Sequence, residues 1–257
     1  MGGRTAMRRL AIIVACLCLS GFRTEDRRST IYLIGDSTMA NKLAEKRPET
    51  GWGEPFAMMF DSTVVVDNRA KNGRSTRTFL SEGLWQLVMD SLKQGDVVFI
   101  QFGHNDESKE KTDRYTPPED FKKNLAKFVQ ETRSKGASPI LLTPIVRRRF
   151  DSVGVFYDVH GVYPSLTREV ASALRVPLID LHCESERLLK ELGEEQSKKL
   201  FLILAQGESP NYPQGLQDNT HFTPFGAETW AHFVAMQSQK IDLSISQHVL
   251  NKESTRQ

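Results

Sequence analysis

Four short blocks of this 257-residue chain hold the residue types that acyl transfer needs: Gly35-Asp36-Ser37-Thr38, Asn68-Arg69-Ala70-Lys71-Asn72-Gly73-Arg74-Ser75, Gly103-His104-Asn105-Asp106 and Asp218-Asn219-Thr220-His221. Ser37 follows a glycine turn that can present its hydroxyl at the end of a strand. A serine hydroxyl attacks a carbonyl poorly until a base takes its proton. His221 is the candidate base, since an imidazole ordinarily titrates near neutrality. Asp218, three residues earlier, can accept a hydrogen bond from the other ring nitrogen and fix the tautomer. The negative charge that develops on the attacked carbonyl needs donors. The backbone N–H groups of Ser37 and Gly73 and the side-chain amide of Asn105 are the candidates. Gly73 has no side chain to block a close approach. The order Ser, Asp, His occurs on several hydrolase folds, so the order alone decides nothing.

The elements around these blocks would bring them together. Apolar runs at Ile31–Ile34, Val64–Val66, Val97–Ile100, Ile140–Leu142 and Val176–Leu181 are short and end in glycine, aspartate or proline signals. Such continuous runs read as parallel strands buried on both faces. Helical periodicity follows at Pro118–Lys135, Pro164–Leu174, Ser185–Leu204 and Thr223–Gln239. Thr223-Pro224 supplies a cap and a first-turn proline for the last of these. Alternating strands and helices predict right-handed βαβ units in a three-layer α/β/α sandwich, with a site beyond the carboxyl ends of the strands. The blocks fall at those strand ends and before the last helix.

Composition sets outer bounds. The chain is 26% charged and 39% hydrophobic, which excludes disordered, collagenous and multi-span membrane classes. Residues 1–20 read as a secretory signal, with Arg4, Arg8 and Arg9 ahead of the apolar run Leu10–Leu19. That run is too short to span a bilayer. Met7 is an alternative start. Ile13-Val14-Ala15-Cys16 also reads as a lipoprotein box that would place a lipid anchor on Cys16, and an N-terminal core helix is a third reading. Without residues 1–20 the net charge goes from +2 to −1, so no single-sign field points to nucleic acid. Cys183 is then the lone cysteine, expected to be a buried, inert thiol. No repeat or low-complexity linker interrupts the chain, so one domain over 29–245 is expected.

The four blocks, in this order, resemble the SGNH (GDSL-type) hydrolase superfamily. Gly35-Asp36-Ser37-Thr38-Met39-Ala40, with Thr38 where the common signature has Leu, is similar to the rhamnogalacturonan acetylesterase branch. So are Gly51-Trp52-Gly53, Gly73-Arg74-Ser75, Phe102-Gly103-His104-Asn105-Asp106, Thr143-Pro144 before Arg147-Arg148, and His221-Phe222-Thr223. The resemblance implies a flavodoxin-like five-stranded sheet and an esterase that removes acetyl groups from pectin, and the signal segment 1–20 makes a secreted or periplasmic location the expectation. It implies Ser37 as nucleophile, Asp218 and His221 as its partners, and Gly73 and Asn105 as oxyanion donors. The expected partner is an acetylated acidic polysaccharide.

Several residues carry two readings. Arg147 and Arg148, beside Arg149, either fork onto the carboxylates of such a glycan or line a solvated loop. Trp52 and Trp85 either stack on sugar rings or fill the core. His104 either lines the site or serves the loop it sits in. His104, Asp106, Asp218 and His221 could also be read as a metal cluster. No cofactor or metal is expected, because Gly-Asp-x-His, C-x-x-C, H-E-x-x-H, Gly-Lys-Ser and G-x-G-x-x-G patterns are missing. The rivals are a lipid or thioester acyl hydrolase of the same superfamily and a silent carbohydrate-binding protein.

Overall fold

β-Branched and other apolar residues, bounded by breakers, form the strands. In the computed structural model, which describes residues 28–241, 243 and 245–250, the strands are Ser29–Gly35 (β1), Val64–Asn68 (β2), Val97–Gln101 (β3), Ser138–Leu142 (β4) and Leu178–Ile179 (β5). They form one sheet in the order β2-β1-β3-β4-β5, with every neighbouring pair parallel. This is the flavodoxin-like order, and the chain reverses direction across the sheet between β1 and β3.

Strand alternation sends the core to both faces. Ile31, Leu33, Val97, Phe99, Ile140 and Leu142 face one side. There they pack on helices Gly53–Phe56 (α1), Leu181–Ser197 (α6) and Pro224–Ser238 (α7). Tyr32, Ile34, Val98, Ile100 and Leu141 face the other. They meet Thr76–Ser81 (α2), Leu84–Ser91 (α3), Pro118–Ser134 (α4) and Tyr163–Leu174 (α5). The result is the expected three-layer α/β/α sandwich. Phe99 on one face and Phe128 on the other are fully buried, and truncating either to alanine would cost about 3–5 kcal/mol.

The structure corrects three local expectations. The helix expected over Ser185–Leu204 starts at Leu181, because Asp180 caps it by accepting from the Cys183 N–H. That cap shortens the expected fifth strand to two residues and puts Cys183 in the first turn, where it is exposed rather than buried. Gly193, at φ 68°, interrupts the helix, and Phe201–Leu204 leaves it altogether as a strand (β6). This strand pairs antiparallel with Leu216–Phe222 (β7), making a two-stranded ribbon apart from the main sheet. The expected signal segment 1–20, with Cys16, lies outside the described residues. Among the described residues no helix is long and apolar enough to cross a membrane.

Candidate active site

The end of β1 is shaped by close backbone packing. A Cβ on Gly35 would stand 2.6 Å from the Gln101 carbonyl oxygen of β3, so only glycine fits there. The chain then makes one turn, with the Asp36 carbonyl accepting from the N–H groups of Met39 and Ala40. The buried Asp36 carboxylate braces that turn. It accepts from the Thr38 N–H at 2.9 Å and the Thr38 hydroxyl at 2.8 Å, and faces His104 Nδ1 at 3.2 Å. Burial pushes Asp36 up, but the His104 ring and the two Thr38 donors outweigh it and hold the carboxyl below its ordinary range. Burial pushes His104 down. Ser37, between these braces, is half-buried, with its hydroxyl turned toward β7.

The ribbon delivers the other two groups. The Thr50 N–H donates to the Phe222 carbonyl at 3.0 Å, so the end of β7 is pinned to the loop ahead of α1. Thr223 then caps α7 through the Gly226 N–H. On β7, His221 Nε2 lies 2.8 Å from Ser37 Oγ, and His221 Nδ1 lies 2.6 Å from Asp218 Oδ2. The other Asp218 oxygen accepts the N–H groups of Thr220 at 2.8 Å and His221 at 3.0 Å. Burial alone would raise Asp218. Its hydrogen bonds and the charge interaction with His221 bring it down to about 2 instead. It is therefore an anion at neutral pH and demands a proton on Nδ1. That tautomer leaves Nε2 unprotonated and facing the serine hydroxyl, the arrangement that lets a serine lose its proton to a base.

The candidate oxyanion donors come from the next two strand ends. Gly73 sits at φ 75°, a left-handed conformation that a side chain would strain. Asn105 donates one amide hydrogen to the Arg74 carbonyl at 3.0 Å, which ties the Gly103–Asp106 loop to the Gly73 loop. Asp106 strengthens that tie from below. Its carboxyl accepts from the Thr76 N–H at 2.9 Å and the Thr76 hydroxyl at 2.6 Å, at the first residue of α2. Burial raises Asp106 to about 7, against the opposing hydrogen bonds of Thr76 and Thr116.

The residues expected to touch substrate are placed differently. Trp52 is fully buried and donates its indole N–H to Gln101 at 2.8 Å, so it is a core residue with no face for a sugar. Trp85 is buried as well. Arg148, 7% exposed, has its guanidinium consumed by Ser197 Oγ, Asn219 Oδ1 and the Glu194 carbonyl, and is corrected to a brace between α6 and β7. Arg147 bonds the Thr220 hydroxyl, the His104 carbonyl and Glu107, which links β7 to the Gly103 loop from inside. Of the three arginines only Arg149 is exposed. His104 is buried against Asp36 and stacks edge-on against His160 at 4.7 Å, behind the nucleophile turn. Among the described residues, no group of three or more His, Cys, Asp or Glu side chains is arranged to hold a metal ion. Sequence reasoning missed Lys42 and Glu49, which form a buried ion pair at 2.7 Å beside the site. Nothing in their spacing announces that contact.

The chain is similar over most of its length to known proteins. A model of the GDSL-like lipase/acylhydrolase family matches residues 33–228. The chain is 39% identical over 223 residues to rhamnogalacturonan acetylesterase RhgT of Bacillus subtilis (strain 168), covering 87% of this chain and 95% of that one. It is 34% identical over 223 residues to the probable rhamnogalacturonan acetylesterase YesY of the same organism, covering 86% and 98%. The crystal structure of YxiM from Bacillus subtilis superposes with a TM-score of 0.70 at 27% identity, over 84% of this chain and 58% of that chain. With a family match over most of its described length and two full-length relatives above 30% identity, the chain is a carboxylic ester hydrolase of the GDSL-like lipase/acylhydrolase family.

Proposed function

We propose that this protein is a secreted serine esterase that removes acetyl groups from a plant cell-wall polysaccharide, rhamnogalacturonan, through an acetyl-Ser37 intermediate. The observation that carries the reading is the unbroken relay from Ser37 Oγ through His221 to Asp218, at 2.8 and 2.6 Å. In this reading His221 Nε2 takes the Ser37 proton as Oγ bonds to the acetyl carbonyl carbon. The carbonyl oxygen becomes an oxyanion among the Ser37 and Gly73 N–H groups and the second amide hydrogen of Asn105. Collapse of this tetrahedral species breaks the bond to the sugar oxygen, which leaves with the proton held by His221. Water, deprotonated by the same ring, then hydrolyses the acetyl-enzyme to acetate and free Ser37. No step requires a metal.

The choice of substrate rests on RhgT and YesY, both named for rhamnogalacturonan and both matched along nearly their whole length. Secretion rests on the basic and apolar residues of segment 1–20. The test is acetate release by purified protein from acetylated rhamnogalacturonan, acetylated xylan and an aryl acetate, beside Ser37→Ala. Release from the pectin, absent in the variant, supports the reading. Cleavage of the aryl acetate but of neither polysaccharide keeps the mechanism and overturns the substrate. Turnover by Ser37→Ala equal to wild type overturns the mechanism.

A further inference from the structure

We infer that Lys42 is a positioning residue for the esterase reaction: its ammonium joins the nucleophile turn to the Gly73 loop and holds Glu49 beside His221. The inference rests on the serine-esterase reading above. The Lys42 side chain is 0% exposed, and its nitrogen contacts three acceptors on three separate loops. They are the Ser37 carbonyl oxygen, Asn72 Oδ1 at 2.9 Å and Glu49 Oε1 at 2.7 Å. An ammonium has three donors, so this set matches its full capacity.

Each acceptor belongs to a part of the site. Ser37 is the candidate nucleophile. Asn72 immediately precedes Gly73, whose N–H is a candidate oxyanion donor. Glu49 immediately precedes Thr50, which is bonded to Phe222, the neighbour of His221. That bond brings Glu49 Oε1 to 3.9 Å from His221 Nε2. A second carboxylate therefore stands on the side of the imidazole that collects the proton. It favours the imidazolium, but unbalanced it would also repel the oxyanion nearby. Lys42 offsets that charge while fixing the distance between the two loops. Buried ion pairs often contribute no net stability compared with apolar residues of similar shape. Packing alone therefore gives no reason for a lysine here, whereas a three-way tie between site loops does.

Three variants test this on the whole enzyme with an aryl acetate, scored by kcat, KM and melting temperature. Asn72 is exposed, so Asn72→Ala cuts one tie without leaving a buried charge. It should lower kcat by about three- to tenfold with KM and melting temperature unchanged. Lys42→Met should lower kcat about ten- to a hundredfold with KM within threefold, as expected for a misplacement of the reacting groups on the order of 1 Å. The double variant Lys42→Met, Glu49→Gln removes the stranded carboxylate, so its melting temperature should recover while kcat stays low. The inference is overturned if Asn72→Ala keeps wild-type kcat, or if the double variant returns to within threefold of wild type, since Lys42 would then only neutralise Glu49. Ser37→Ala runs alongside. Undiminished turnover in that variant would sink the serine-esterase reading itself, a different failure.

Discussion

Replacing Asp218 with asparagine isolates the proton on His221. The two oxygens of Asp218 do different work. Oδ1 accepts two backbone N–H groups, from Thr220 at 2.8 Å and His221 at 3.0 Å. Only Oδ2 faces the ring, at 2.6 Å from Nδ1. In Asp218→Asn the amide oxygen must stay where the two backbone donors point, because an NH2 group there would face two donors. The NH2 group is thereby forced toward Nδ1. It donates, so Nδ1 must become the acceptor and the ring proton must move to Nε2. That nitrogen then faces Ser37 Oγ with a hydrogen on it and cannot take the serine proton. A wrong tautomer of this kind costs on the order of 10⁴ in kcat, or about 5 kcal/mol at 1.36 kcal/mol per tenfold. Asp218→Ala leaves the tautomer free and should cost no more than the asparagine, although it removes more of the side chain. Initial rates of aryl acetate hydrolysis at neutral pH measure both, and melting curves confirm folding. An Asp218→Asn enzyme within tenfold of wild-type kcat would refute the tautomer argument.

Two further outcomes follow from the same geometry. Asn105→Ala should lower kcat by about 10²–10³ through loss of one oxyanion donor, with KM little changed; a loss under threefold, read by steady-state kinetics, would remove Asn105 from that role. Asp106→Asn should alter how stability depends on pH. The folded protein keeps a proton on Asp106 up to about pH 7, whereas the unfolded chain loses it near the ordinary carboxylate value of 3.8. The folded state therefore binds more protons in that window, and this group's contribution is full below pH 3.8 and fades as pH rises toward 7. The melting temperature of wild type minus that of Asp106→Asn should fall steadily between pH 4 and pH 8, and a constant difference would contradict the assignment.

The strands were legible because each is a short apolar run, a pattern that needs no long-range information; β3 and most of β1 and β4 are buried on both faces, whereas the edge strand β2 is only partly buried and leaves Val65 exposed. The candidates Ser37, Gly73 and Asn105 were legible because acyl transfer calls for these residue types beyond strand ends, and Asp218 and His221 because they form an Asp-x-x-His block just ahead of the last helix. The ribbon was not. Phe201–Leu204 follows an amphipathic helix with no proline between them, so no such breaker ends the helix before it. The unbroken run Leu200-Phe201-Leu202-Ile203-Leu204 was the signal for a strand, as was Gly193 just upstream. This error mattered for the site, since the strand paired with Phe201–Leu204 carries both Asp218 and His221. Arg147 and Arg148 show a second limit. A charge run beside a site looks like a ligand clamp, yet both guanidiniums point inward to protein oxygens. Lys42 and Glu49 show a third, because a buried ion pair between loops has no local pattern.

Labelling with a fluorophosphonate, with the adduct located by peptide mass spectrometry, decides whether Ser37 is the nucleophile. One adduct per chain is expected, on Ser37, with esterase activity lost in proportion to labelling and no adduct on Ser37→Ala. An adduct on another residue, or full activity in the fully labelled protein, would contradict it.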